Sequence, residues 1–139
     1  MANVDTIKAI EDNITTILAA QGFKVEDLSA NPDADTTPLA TIIWEGEDFE
    51  YNHGEKPLYN ELKYTLAIRF SDKAPATTRD RQAEYAHKLR SNITVAALNT
   101  GSLAASKLVS KVSHEGYVNQ YEPPITRLNY SLRVRYREI

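Results

Sequence analysis

The sharpest pattern lies near the end of the chain. Leu128, Tyr130, Leu132, Val134 and Tyr136 occupy alternate positions, and Arg127, Asn129, Ser131, Arg133, Arg135 and Arg137 fill the positions between and beside them. A period of two predicts a strand with one face on a core and the other open. Leu62, Tyr64, Leu66, Ile68 and Phe70 repeat the pattern. Leu39 to Trp44 predicts a third strand, so residues 39–70 should form a long hairpin whose tip, roughly 46–60, extends beyond the core. Asn52-His53-Gly54 marks a turn there, and Pro57 disfavours central-strand pairing nearby.

Two stretches change to helical period. Val4, Ile7, Ile10, Ile14, Ile17 and Leu18 recur in steps of three and four, with Asn3 as a candidate N-cap and Gly22 as a stop. Residues 77–99 carry Ala83, Ala86, Leu89, Ile93 and Ala97 on one stripe, capped by Thr77 or Thr78 with Asp80 in the first turn. Shorter strands are expected at Phe23–Ser29 and Leu108–His114, with a break at Gly116. Asn31 to Pro38 has loop chemistry, and Pro123-Pro124 enforces an extended entry to the last strand. The expected fold is α+β: one domain over residues 1–139, with a mostly antiparallel sheet of four to five strands. Two helices pack on one face, and a long hairpin projects.

Composition narrows the function. At 139 residues the chain suits one domain, and 42% apolar residues suffice for a core. There are no cysteines, which excludes disulfides, thiol catalysis and cysteine-built zinc sites. The opening Met-Ala-Asn-Val-Asp lacks a basic and then apolar leader, and no apolar run approaches bilayer length. A protein made in a cytoplasm, without membrane contact, is the expectation. The Asn-x-Thr sequons at Asn13 and Asn92 read as chance.

Charge is divided between the halves. Residues 1–70 hold 5 Lys/Arg and 13 Asp/Glu, net −8; residues 71–139 hold 11 and 6, net +5, which together give −3. Oppositely charged halves favour head-to-tail association of copies. The basic row Arg127, Arg133, Arg135 and Arg137 and the acids Glu45, Glu47, Asp48 and Glu50 are the candidate subunit-interface residues. Arginines two positions apart on one strand face lie about 7 Å apart and need acids to offset their repulsion. The favoured source is the next subunit. Trp44, Tyr51, His53 and Tyr59 flank the hairpin tip and are candidates for contact with other proteins, although Trp44 also fits a core position at a strand end.

Catalytic machinery is not legible. His53, His87 and His114 are scattered; His53-Gly-Glu55 lacks the cysteines of a zinc deaminase. Asp33-Ala-Asp35 lacks the remaining ligands of a calcium loop. Glu45, Glu47, Asp48 and Glu50 could pair for acid–base work, but a projecting hairpin keeps them solvated. Ser110, Ser113 and His114 have no nucleophile elbow, and the five glycines are isolated. The reading is no enzyme, no metal and no cofactor. The arginine face could bind nucleic acid, but Tyr130 and Tyr136 fall on the core side rather than beside it for base stacking.

In layout the chain resembles the tail terminator, or tail-completion, proteins of long-tailed bacteriophages. The resemblance rests on the opening helix around Ile10-Glu-Asp-Asn-Ile14, the Pro38-Leu-Ala-Thr-Ile-Ile43 strand and the hairpin to Phe70. It continues through the helix at Thr78–Ala97 and the closing strand at Ile125–Tyr136. It implies a structural subunit of the virion, assembled in the host cytoplasm into a ring, typically a hexamer. Such a ring caps the tail tube protein, stops its polymerisation and offers a docking surface to the head–tail connector protein. In contractile tails it also meets the tail sheath; DNA passes through only as cargo. The alternatives are a neck or head-completion connector of the same virion, or a small nucleic-acid-binding domain.

Overall fold

The computed structural model describes residues 3–26, 37–51, 54, 57–71, 75–122 and 125–138. Helix α1 spans Asn3–Ala20, strand β1 Lys24–Val25, β2 Leu39–Glu50 and β3 Tyr59–Ser71. Helix α2 spans Pro75–Asn92 and a short α3 Val95–Leu98, followed by a 3-10 turn at Gly101–Leu103. Strands β4, Val109–Glu122, and β5, Ile125–Tyr136, close the chain. The strands form one sheet in the order β1-β2-β3-β5-β4. Its β2–β3, β3–β5 and β4–β5 pairings are antiparallel and its β1–β2 pairing parallel. The fold is α+β, as the periodicity predicts.

Alternation decides which side of the sheet is dry. Leu62, Tyr64, Leu66, Ile68 and Phe70 of β3 and Leu128, Tyr130, Leu132, Val134 and Tyr136 of β5 all join one core. That core also contains Ile10, Ile14 and Leu18 of α1 and Tyr85, Ala86 and Leu89 of α2. Fully burying a side chain of this size contributes about 1.5–3 kcal/mol. The Tyr85 ring packs edge-on against Phe23 and Phe70, with the Arg81 guanidinium 4.5 Å from the centre of the Phe70 ring.

Helix ends follow local chemistry. Gly22 stops α1 at φ +91, and the bonds Gly22 N–H to Ala19 O and Phe23 N–H to Leu18 O complete a Schellman cap. Val4, assigned to the apolar stripe, is exposed instead. Asn3 lies within the helix, and its amide nitrogen donates to Glu138 Oε1. The expected helix over 77–99 begins earlier and is divided. Pro75 takes the first position, where a missing N–H costs nothing, so Thr77 and Thr78 lie inside the first turns. The chain then breaks after Asn92, and Thr94, extended at φ −125, caps α3 by accepting from Ala97 N–H.

Bulges change the faces of two strands. The register between β2 and β3 shifts at Glu45, so Trp44 lies opposite Tyr64 but Gly46 opposite Lys63. In β4 the expected break at Gly116 is a bulge at Glu115, through which the strand continues to Glu122. Gly116 has φ +117, which an L side chain adopts only with strain. The expected strand at Phe23–Ser29 is formed over Lys24–Val25; residues 27–30, with the loop holding Asp33 and Asp35, lie outside the described residues. Of the expected tip at 46–60, the stretch to Glu50 is laddered, with Glu50 opposite Tyr59.

Candidate functional site

The open face of the sheet carries a charge cluster built by register. Arg135 stands opposite Glu61 and Arg133 opposite Lys63 across β3–β5, while Asp48 stands opposite Glu61 across β2–β3. Arg133 Nη1 lies 3.2 Å from Glu61 Oε1 and 3.6 Å from Asp48 Oδ2, and its Nε lies 2.8 Å from Glu115 Oε1. Arg135 Nη2 reaches Glu61 Oε2 at 3.3 Å, and Lys63 Nζ reaches Asp48 Oδ1 at 3.2 Å. The Arg135 guanidinium also stacks 3.8 Å from the centre of the Tyr59 ring. Glu61 is the hub: its side chain is 16% exposed and bridges both arginines.

This arrangement corrects the charge expectation. The acids beside Arg133 and Arg135 belong to the same chain, and two of the three, Glu61 and Glu115, were not among the candidates. Glu61 alternates with the apolar residues of β3 and could have been read from them; Glu115 gains its reach from a bulge that alternation does not foretell. The remaining candidates divide. Arg127 Nε donates to Asn129 Oδ1 at 2.8 Å. Arg137 lies past the end of β5, and its Nη2 donates to Lys107 O. Glu47 is turned by the bulge to the helix side, where it accepts from the Tyr136 hydroxyl at 2.6 Å. Glu45 and Glu50 are exposed.

Among the contact candidates, Tyr59 is half-buried beneath Arg135. Trp44 and Tyr51 are 53% and 52% exposed, which removes Trp44 from the core reading. Its indole N–H donates to Gly46 O at 2.9 Å. His53 lies outside the described residues. Phe49 and Leu58, more than half exposed, join Trp44 and Tyr51 around this end of the hairpin. Sequence reading missed both, although Phe49 stands in the alternating acidic run.

A second region lies between α2 and β4. A cleft of about 520 Å³ is lined by Ala86, His87, Arg90, His114, Tyr117 and Tyr130 among others, so two of the three scattered histidines line one cleft. The Ile93 carbonyl can only accept, so His114 Nε2–H donates to it at 3.0 Å. Nδ1 of the neutral ring then accepts from the Tyr130 hydroxyl. Burial holds the imidazole below its usual pKa; the hydrogen bond to Ile93 opposes this, and the Arg90 charge adds to it. Burial likewise pushes the Tyr130 hydroxyl up to about 12. With both ring nitrogens engaged, His114 fastens the end of α2 to the sheet rather than standing free as a base. Farther along the same side lies a smaller hollow, lined by Arg79, Gln82, Asn119 and Tyr121 among others.

Among the described residues, no three His, Asp or Glu side chains converge as a metal-ligand set. None of the described helices is long and apolar enough to cross a membrane. No family model matches this chain, and no curated protein is similar to it.

Proposed function

We propose that this chain is the subunit of a tail terminator ring of a long-tailed bacteriophage. It caps the tail tube, ends its polymerisation and gives the head-side connector a surface to dock on. It acts as a structural part, with tube protein, connector and further copies of itself as partners.

One observation carries the reading: the two ends of the sheet differ in chemistry, and each presents an exposed strand face among the described residues. At one end, among the described residues, β1 pairs with β2 at Leu39 and Ala40, and the distal half of β2 carries Trp44, Glu45, Phe49 and Glu50, all exposed. At the other end, among the described residues, β4 pairs only with β5; its exposed Tyr117 lines a cleft with Arg90 of α2, and its exposed Tyr121 lines one with Arg79. Long open edges are where strands meet other chains unless they are blocked. Two different patches on one subunit suit the heterologous contacts of a ring. The layout resemblance supplies the kind of ring. The nucleic-acid reading loses ground, because Arg133 and Arg135 are already matched by acids.

The test is tube polymerisation. Purified tail tube protein from the same virus, polymerised with this chain present, should give short tubes with added density at one end in negative-stain images. Tubes of unchanged length with bare ends, and particles lacking the chain that keep tails of normal length, would reject the reading.

A further inference from the structure

We propose that the β4 edge and the adjoining flank of α2 form a socket for the distal end of the β2–β3 hairpin of a second copy. This rests on the ring reading above and names the surfaces that close it. The two surfaces are complementary in charge and similar in apolar character. The hairpin end offers Glu45 and Glu50 on its open face, their side chains without hydrogen-bond or ion-pair partners among the described residues, and Trp44 and Phe49, 53% and 54% exposed, on the other face of the same strand. The socket offers Arg79 and Arg90, likewise exposed and without such partners, beside Tyr117 and Tyr121. Arg79 and Arg90 lie eleven positions apart, about three helical turns, so both fall on the flank of α2 that lines the clefts against β4.

The contrast with the open-face cluster favours this pair of surfaces. Arg133 and Arg135 on the sheet are ion-paired within the chain, whereas Arg79 and Arg90 on this helix flank are not. Exposed aromatics surrounded by unpaired charge of one sign are what a docking surface needs: the rings supply buried area and the charges select the partner. The surfaces sit at opposite ends of the strand order, so a chain cannot satisfy its own socket with its own hairpin. A second copy must therefore supply the hairpin, and head-to-tail joining of copies is the arrangement that closes a ring.

The test reverses each surface in the full chain and measures mass by analytical ultracentrifugation from micromolar to near-millimolar concentration. Arg79→Glu with Arg90→Glu, or Glu45→Lys with Glu50→Lys, should weaken self-association by about tenfold or more while leaving the melting temperature near that of the parent. All four changes together restore opposite charges across the contact and should recover association. Neutral variants, Arg79→Gln with Arg90→Gln and Glu45→Gln with Glu50→Gln, should give a smaller loss and decide the matter if a reversal unfolds the chain. If the parent associates but neither the reversed nor the neutral pairs change it, or the fourfold variant shows no recovery, the socket is wrong and the ring reading survives. A parent that stays monomeric throughout overturns both.

Discussion

The hydroxyl of Tyr136 joins parts of the chain that are far apart in sequence. It donates to Glu47 Oε1 on β2 and accepts from Asn60 Nδ2 on β3. Asn60 Nδ2 also donates to Glu138 Oε1 at 2.8 Å, and that oxygen accepts from Asn3 at the start of α1. Tyr136→Phe removes the hydroxyl while keeping the buried ring, so Glu47 loses this donor and Asn60 this acceptor. The expected loss is about 1–2 kcal/mol of unfolding free energy, read from a lower urea midpoint at unchanged slope. His114 gives a pH signature. Its folded-state pKa is lowered from the usual 6.5, so the unfolded chain binds the proton more tightly. Stability contributed by the neutral ring is whole above 6.5 and declines as pH falls from 6.5 toward the lowered value. His114→Gln should flatten this part of the stability curve measured between pH 7 and 5; an unchanged curve would contradict the assignment. Alternation alone was enough to place Tyr136 and Tyr130 in the core. Their hydroxyl partners were not legible, because Glu47 arrives through a bulge and His114 meets α2 through tertiary packing.

At the scale of elements, strands were easier to read than the joints within them. The closing strand, Ile125–Tyr136, contains the whole alternating run Leu128–Tyr136, because one buried face fixes the phase of every residue on it. The residue inserted at Glu45 exchanges the faces of those beyond it, so that Glu47 goes to the helix side and Asp48 to the open face, the reverse of uninterrupted alternation from Trp44. The helix over 77–99 kept its apolar stripe across the break after Asn92, so period alone did not expose the gap. The open-face cluster changes one expectation outright. Reversal of Arg133 and Arg135 would spare the fold if their acids lay on a neighbour. Here Glu61, largely buried, and Glu115 supply them from within β3 and β4. Arg133→Glu with Arg135→Glu places negative charge against both acids and leaves Glu61 without a counter-charge. The expected cost is about 2–4 kcal/mol, below that of breaking a fully buried pair because Arg133 is partly solvated. Urea unfolding measures it; stability equal to that of the parent would show that the cluster contributes nothing to the fold.

For the whole molecule, the question is what its positive charge is free to do. Net charge is −3, so no long-range field draws the protein to nucleic acid. Two of the four arginines of the basic strand are locally neutralised: Arg133 faces Glu61, Asp48 and Glu115, and Arg135 faces Glu61, whereas Arg127 and Arg137 bond to neutral oxygens. A phosphate would have to displace these carboxylates before counterion release could favour it. Base stacking has little to use on that face, since Tyr130 and Tyr136 are buried and Tyr59 lies beneath Arg135. Single- or double-stranded DNA should therefore bind the isolated chain only weakly at low salt and not measurably at about 0.15 M, as read by fluorescence anisotropy. Arg133→Gln with Arg135→Gln should leave that result unchanged. Micromolar binding at about 0.15 M salt, with an affinity and salt slope that fall in this variant, would instead make the arginine strand a nucleic-acid platform.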